Sequence, residues 1–272
     1  MSVLIVRYGE ISLKSHSVRR RFVDTLVRNI QDALLNADIE GYVETERGRV
    51  YVFTEDKRSI DAVKRVFGVV SVSWAEMTDS NMENIASLVL STFPCRKGSF
   101  AVRARRTGDH DYTSQELAAY VGERILDKCS DLRVDLKKPD FEVHIEVRNS
   151  KSFVFFEKIK GVGGMPLGTQ GTIGAFMRDE KDVLAAWMMM KRGCDVLFPE
   201  ETGDKIREMA EKWGAIPVNQ SIDEILERDD VLGISTGHME ECLSTMKKPV
   251  FCPLSGLVED EIEERIEKLR TW

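Results

Sequence analysis

Val69-Val-Ser-Val-Ser-Trp74 decides how the front of this chain is read. The β-branched run predicts a strand, and it closes a series that begins with an apolar strand over residues 3–7. Between them Val18, Phe22, Leu26, Ile30 and Leu34 recur at helical spacing. Strands follow over 41–45 and 49–54 about a Glu46-Arg47-Gly48 turn, and then a short helix over 59–67. The order βαββαβ is that of a ferredoxin-like unit, expected here over residues 1–76.

Working outward, the polar residues 79–81 suggest a linker, and a helix over 82–93 opens a second α/β unit, expected over 77–171. Residues 100–105 alternate, with Phe100, Val102 and Ala104 on one face and Arg103 and Arg105 on the other, running on to Arg106. Ser114 is expected to cap a helix through residue 128. Residues 141–147 alternate again: Phe141, Val143, Ile145 and Val147 are expected inward, and Glu142, His144 and Glu146 outward. A further strand is expected over 153–159.

Gly161-Val-Gly-Gly-Met-Pro-Leu-Gly-Thr-Gln-Gly171 suits no regular element and reads as a linker. It fails as a dinucleotide fingerprint, because Pro166 and the lack of an immediately following helix break the required strand-turn-helix context. Residues 172–272 then alternate strand and helix, which predicts a small Rossmann-like parallel sheet with covering helices. The fold class is therefore α/β, with an α+β front half.

At 272 residues, 42% hydrophobic and 31% charged, the chain suits two or three globular domains and is too apolar for disorder. No run approaches the roughly 20 apolar residues of a membrane span, and residues 3–6 are too short for a signal peptide. A cytoplasmic protein without membrane association is expected. Cys95, Cys129, Cys194, Cys242 and Cys252 are scattered and odd in number, so free thiols are expected. Net charge is -7, with the excess acid confined to the last hundred residues. The front could therefore meet an anion, while the acidic back could dock a protein partner.

Three stretches carry a family resemblance: Arg7-Tyr-Gly-Glu-Ile-Ser-Leu-Lys14 before a basic helix, Phe100-Ala-Val-Arg-Ala-Arg-Arg106, and Val134-Asp-Leu-Lys-Lys-Pro-Asp140 followed by the glycine passage. They resemble the tRNA sulfurtransferases that make 4-thiouridine. The resemblance implies an N-terminal ferredoxin-like domain (1–76) and a THUMP domain (77–171) that bind tRNA, then a PP-loop domain (172–272) that activates uridine by adenylation. It continues through Ala185-Ala-Trp-Met-Met-Met-Lys-Arg-Gly193. The family's Ser-Gly-Gly-x-Asp-Ser loop is replaced by Met177-Arg-Asp-Glu-Lys-Asp182. Small residues let backbone N–H groups approach a pyrophosphate at a helix N-terminus; here the side chains are bulky, and Asp179, Glu180 and Asp182 would repel phosphates that Arg178 and Lys181 attract. A truncated, degenerate PP-loop domain without ATP is expected.

Candidate RNA contacts are Lys14, Arg19, Arg20, Arg21, Arg103, Arg105, Arg106, Lys137, Lys138, Lys158 and Lys160. Arginines at a helix start oppose the macrodipole and point to an anionic partner; the alternative reading is that one or two are only solvated. Arg103, Arg105 and Arg106 could instead pair with Glu142 and Glu146 across adjacent strands. His238, Cys242 and Cys252 make a weak metal set, and ordinary packing is the better reading. Cys242 and Cys252 could also carry sulfur, but only Lys247 and Lys248 mark their surroundings as basic. No metal and no catalytic residue is assigned. The leading expectation is a tRNA-binding THUMP protein that does not adenylate RNA; the alternative is an active tRNA sulfurtransferase with an altered ATP site or a partner subunit.

Overall fold

The structure, a computed structural model, describes residues 2–9, 15–46, 48–242 and 247–272. Lys14 and Arg47, and with them much of the 7–14 stretch, lie outside the described residues. The chain packs as two compact units, one of residues 1–7, 34–61 and 71–160, the other of 8–33, 62–70 and 161–272.

The first unit is built on one sheet. Its strands are β1 (Ser2–Tyr8), β2 (Tyr42–Glu46), β3 (Arg49–Phe53), β4 (Val69–Asp79), β5 (Gly98–Thr107), β6 (Leu132–Val134), β7 (Phe141–Arg148), β8 (Lys151–Phe155) and β9 (Ile159–Lys160). Their order is β2-β3-β1-β4-β8-β7-β5-β6, with β9 also on β4. The expected βαββαβ order is present, with helices α1 (His16–Asn36) and α2 (Ser59–Lys64) between its strands. β4 does not stop at residue 74. It continues to Asp79 and pairs antiparallel with β8, Glu76 opposite Val154, so the strands of 1–76 and those that follow share one sheet.

Helices α3 (Met82–Thr92) and α4 (Ser114–Lys128) cover one face of β5, β7 and β8, where Phe100, Val143, Ile145, Val147 and Val154 meet Ile85, Val89, Leu117, Val121 and Ile125. The N-cap of α4 is Thr113, not Ser114: its hydroxyl accepts from Glu116 N at 3.2 Å, and Glu116 reaches back to Thr113 N at 2.7 Å. That reciprocal pair satisfies two orphan donors at once. Among the described residues, the expectation of free thiols fails at three cysteines. Cys95 after α3 is disulfide-bonded to Cys129 at the end of α4, and Cys252 is also disulfide-bonded, while Cys194 is a buried free thiol. Helix packing brings residues 34 apart in sequence together, a proximity that spacing alone does not reveal.

The opposite sheet face is buried too, which period-2 alternation by itself does not reveal. His144 and Glu146, expected outward, are each 7% exposed. Tyr51 on β3 stacks on Phe153 of β8 with ring centroids 4.9 Å apart, although two strands separate them in the sheet. On a flat sheet those strands would lie about 14 Å apart. The twist therefore coils this face onto itself and encloses Val3, Ile5, Tyr51, Phe53, Ala75, Phe153 and Phe155.

In the second unit β10 (Thr172–Ala175), β11 (Asp195–Pro199), β12 (Ile216–Val218), β13 (Val231–Ser235) and β14 (Val250–Phe251) form the expected parallel sheet, ordered β12-β11-β10-β13-β14. Helices α5 (Glu180–Met190), α6 (Asp204–Glu211), α7 (Ile222–Glu227), α8 (Met239–Cys242) and α9 (Glu259–Thr271) complete it. One core joins α5, α6 and α9 to the sheet and to Phe67, and a smaller one joins Ile225 of α7 to Leu197 and Val231. The glycine passage is not a loose linker. Met165 N bonds to Lys191 O at 3.0 Å, and Thr169 N and Gln170 N bond to Gly193 O at 3.1 and 3.0 Å. Gly164 has φ +79°, and a Cβ there would stand 2.3 Å from Lys191 O.

Two outcomes follow from this packing. Gly164→Ala combines a left-handed backbone with a backbone clash, and should cost roughly 2 kcal/mol or more in urea unfolding. Burial, followed by the field of Lys158, lowers the His144 pKa from 6.5 to about 4. Between those values the unfolded chain binds the extra proton, so stability rises with pH across the window and is lost as pH falls through it, by about 3 kcal/mol in full. His144→Gln should flatten the pH dependence of the urea midpoint between pH 6.5 and 4.

Candidate nucleic-acid interface

Strand alternation sends Arg103 and Arg105 of β5 to the face that carries His144 and Glu146 of β7, since Arg103 lies opposite His144 and Arg105 opposite Glu146. On that face the first unit opens a cleft of about 620 Å³. Arg7, Arg49, Arg103, Arg105 and Lys158 line it, against two carboxylates, Glu142 and Glu146. A second hollow shares Arg49, Arg105 and Glu146 with it and adds Arg106 and Arg148. The cations thus form one continuous track.

The track has a hydrogen-bonded end and a more exposed one. Arg7 donates from Nη2 to Glu146 Oε1 at 2.9 Å and from Nη1 to Ser73 Oγ at 2.9 Å, and its guanidinium lies 4.9 Å from the Phe155 ring centre. Arg49 Nε donates to the other oxygen of Glu146 at 3.4 Å. Burial pushes the Glu146 carboxyl up, but the Arg7 hydrogen bond and the Arg49, Arg7 and Arg148 charges outweigh it and hold the pKa below the ordinary value. Arg103 donates from Nε to Glu142 Oε1 at 2.8 Å and from Nη2 to Leu136 O at 2.9 Å, so one of the pairings open in the sequence is formed. Both members of that pair are over a third exposed, and such pairs contribute little net stability. Glu146 pairs with Arg7 and Arg49, not with the β5 arginines. Arg105 is exposed and makes no hydrogen bond or ion pair with the described residues. Lys158 has its pKa lowered by burial and then by Arg7 and Arg105, cations that together disfavour a further charge.

Of the sequence candidates, Arg103, Arg105, Arg106 and Lys158 come together here. Lys137, Lys138 and Lys160 are exposed elsewhere on the same unit. Arg19, Arg20 and Arg21 belong to the other unit, inside a helix that starts at His16, so they stand beyond the first turn where the macrodipole acts most. Arg7, Arg49 and Arg148 were not among the sequence candidates, and Glu146 was weighed only as a partner for the β5 arginines. Arg49 opens an alternating strand, but only coiling of the sheet brings it to β7.

In the second unit, the loop before α5 is filled by its own side chains. Asp179 caps the helix, its Oδ1 accepting from Lys181 N at 3.0 Å and Asp182 N at 3.1 Å, while its Oδ2 lies 2.9 Å from His238 Nε2. Asp182 is fully buried and accepts from Arg178 Nε at 2.8 Å, Thr236 Oγ1 at 3.2 Å and Gly237 N at 2.8 Å. Asp179, Asp182 and His238 are close enough to share a cation, but their oxygens are already taken by N–H and O–H donors. The set weighed from the sequence, His238 with Cys242 and Cys252, includes Cys242, whose side chain lies outside the described residues.

Residues 3–73 match the family model of the ThiI ferredoxin-like domain, and residues 81–157 that of the THUMP domain. The chain is 40% identical over 225 residues to the probable tRNA sulfurtransferase of Methanobrevibacter smithii, covering 77% of this chain and 58% of the relative. It is 41% identical over 201 residues to that of Methanosarcina acetivorans, covering 71% and 49%. Among solved structures, PH1313 from Pyrococcus horikoshii superposes with a TM-score of 0.84 at 32% identity, over 99% of this chain and 100% of that one. A 4-thiouridine synthetase, solved as an RNA complex with bound ATP, has the same fold at a TM-score of 0.78 and 22% identity, over 100% and 85%. The chain spans about half to three-fifths of the length of the curated relatives it matches. With its ferredoxin-like and THUMP domains in place, the chain belongs to the tRNA sulfurtransferase family.

Proposed function

We propose that this chain is a cytoplasmic tRNA-binding protein of that family that does not itself adenylate RNA. The observation that carries the reading is the continuous cationic track of the first unit. Guanidinium and ammonium groups spaced along a sheet face suit a phosphate backbone, and contacts of this kind fix register and shape more than base identity. Arg105, exposed and unpaired among the described residues, is the cation most available to a phosphate. The solved 4-thiouridine synthetase complex is a precedent for RNA on this fold. No helix among the described residues is long and apolar enough to cross a membrane.

Support for the second half of the proposal comes from the start of α5. Asp179 and Asp182 place carboxylates on the N–H groups that an incoming phosphate would need, and an anion would have to displace both against their charge. A protein partner on the acidic second unit has less behind it. Glu259 is paired with Lys181 at 2.7 Å, Glu267 with Arg270 at 2.9 Å, and Glu180 with Arg270 and Lys205, so much of that charge is compensated internally.

Fluorescence anisotropy with intact tRNA and a hairpin of equal length, over a series of salt concentrations, tests the first half. Tight, salt-sensitive binding that favours tRNA is expected. Arg105→Ala and Arg106→Ala should each weaken it several-fold and make the log-log salt slope shallower by about 1; no binding at low salt would overturn the reading. For the second half, incubation with radiolabelled ATP and tRNA should give no tRNA-stimulated AMP or pyrophosphate. Its appearance would overturn that half and favour the active-enzyme alternative.

A further inference from the structure

A carboxylate at the floor of a phosphate-binding cleft works against its ligand, and Glu146 is such a group. Its side chain is only 9% exposed, whereas that of Glu142 at the rim is 38% exposed. Burying a carboxylate is costly unless it is paired and fully hydrogen-bonded, and a neutral side chain at this place in β7 would give the cleft a stronger attraction for anions. Its contacts show what it does instead. Each carboxylate oxygen takes a different arginine, Oε1 from Arg7 at 2.9 Å and Oε2 from Arg49 at 3.4 Å, and Arg148 Nε lies 3.7 Å from Oε2. Arg7 is also fixed by Ser73, whose hydroxyl in turn donates to Glu157 O at 2.7 Å.

We propose that Glu146 is the specificity-determining positioning residue of the cleft: it sets the spacing of the Arg7 and Arg49 guanidiniums, so that a folded RNA is preferred over a flexible polyanion. The inference rests on the RNA reading of the same cleft. A guanidinium held in place loses little entropy on binding a phosphate that already stands at the matching distance. Freed arginines would follow any chain of phosphates, and the loss of one carboxylate would raise the attraction for all of them.

The test compares wild type, Glu146→Gln and Arg49→Lys for binding to intact tRNA and to a single-stranded oligouridylate of similar length, across salt. Circular dichroism and urea midpoints confirm that each variant is folded. Glu146→Gln should bind oligouridylate at least fivefold more tightly, with a salt slope steeper by about 0.7, the single-strand value for one more neutralised phosphate. Its affinity for tRNA should gain less, so the preference shrinks. Arg49→Lys keeps the charge but loses the planar fork. It lies at the edge of the Glu146 cluster, so it keeps the question answerable even if Glu146→Gln fails to fold. It should lose preference without a change of slope.

Wild-type preference for tRNA that persists undiminished in the folded variants would overturn the role of Glu146 and leave the RNA reading standing. No wild-type binding to either RNA would overturn both.

Discussion

The buried carboxylate of Glu146 is the interaction around which the first unit is organised. β7 has no solvent-facing side at its centre: Val143, Ile145 and Val147 meet α3 and α4, while His144 and Glu146 lie under the coiled opposite face. A charge in that position requires counter-charges, and the coil supplies Arg7 from β1 and Arg49 from β3. Pairing across the coil is therefore a condition of the sheet's shape as well as of the cleft's charge. The aromatic stack of Tyr51 on Phe153 continues the same closure with apolar groups.

Charge is treated in opposite ways by the two units. In the first, cations outnumber carboxylates along the cleft and Arg105 has no partner among the described residues, so the field points outward. In the second, carboxylates turn inward onto backbone N–H groups at the start of α5, and a fully buried Asp182 is held by Arg178, Thr236 and Gly237. That place is the switch point of the parallel sheet, where β10 lies between β11 and β13 and where α/β folds commonly take ligands. Gly237 allows the close approach, since a Cβ there would stand 2.4 Å from the Lys181 carbonyl carbon.

Local signals made much of this readable. The strands and helices of both units follow hydrophobic period and turn chemistry, and the parallel sheet of the second unit follows from strict alternation of strand and helix. The cationic residues of β5 were legible because alternation fixes which face a side chain takes. Other features were not legible, each for a physical reason. The Cys95–Cys129 disulfide depends on how α3 packs on α4. Thr113 and Ser114 are both competent caps, and only the turn geometry selects between them. The glycine passage looked like a tether because glycine signals freedom, whereas here it permits backbone contacts that a side chain would block.

By itself the sequence determined the elements, the faces of β5 and β7, the family resemblance and the altered loop before α5, because these depend on residue type and short spacing. Tertiary structure decided that β4 runs on into a shared sheet and that the second face of β7 is buried. It also decided that Arg7, Arg49 and Arg148 meet one glutamate. Those outcomes depend on strand pairing and sheet coiling between residues up to 139 positions apart, as Arg7 and Glu146 are, and no local pattern encodes such a distance.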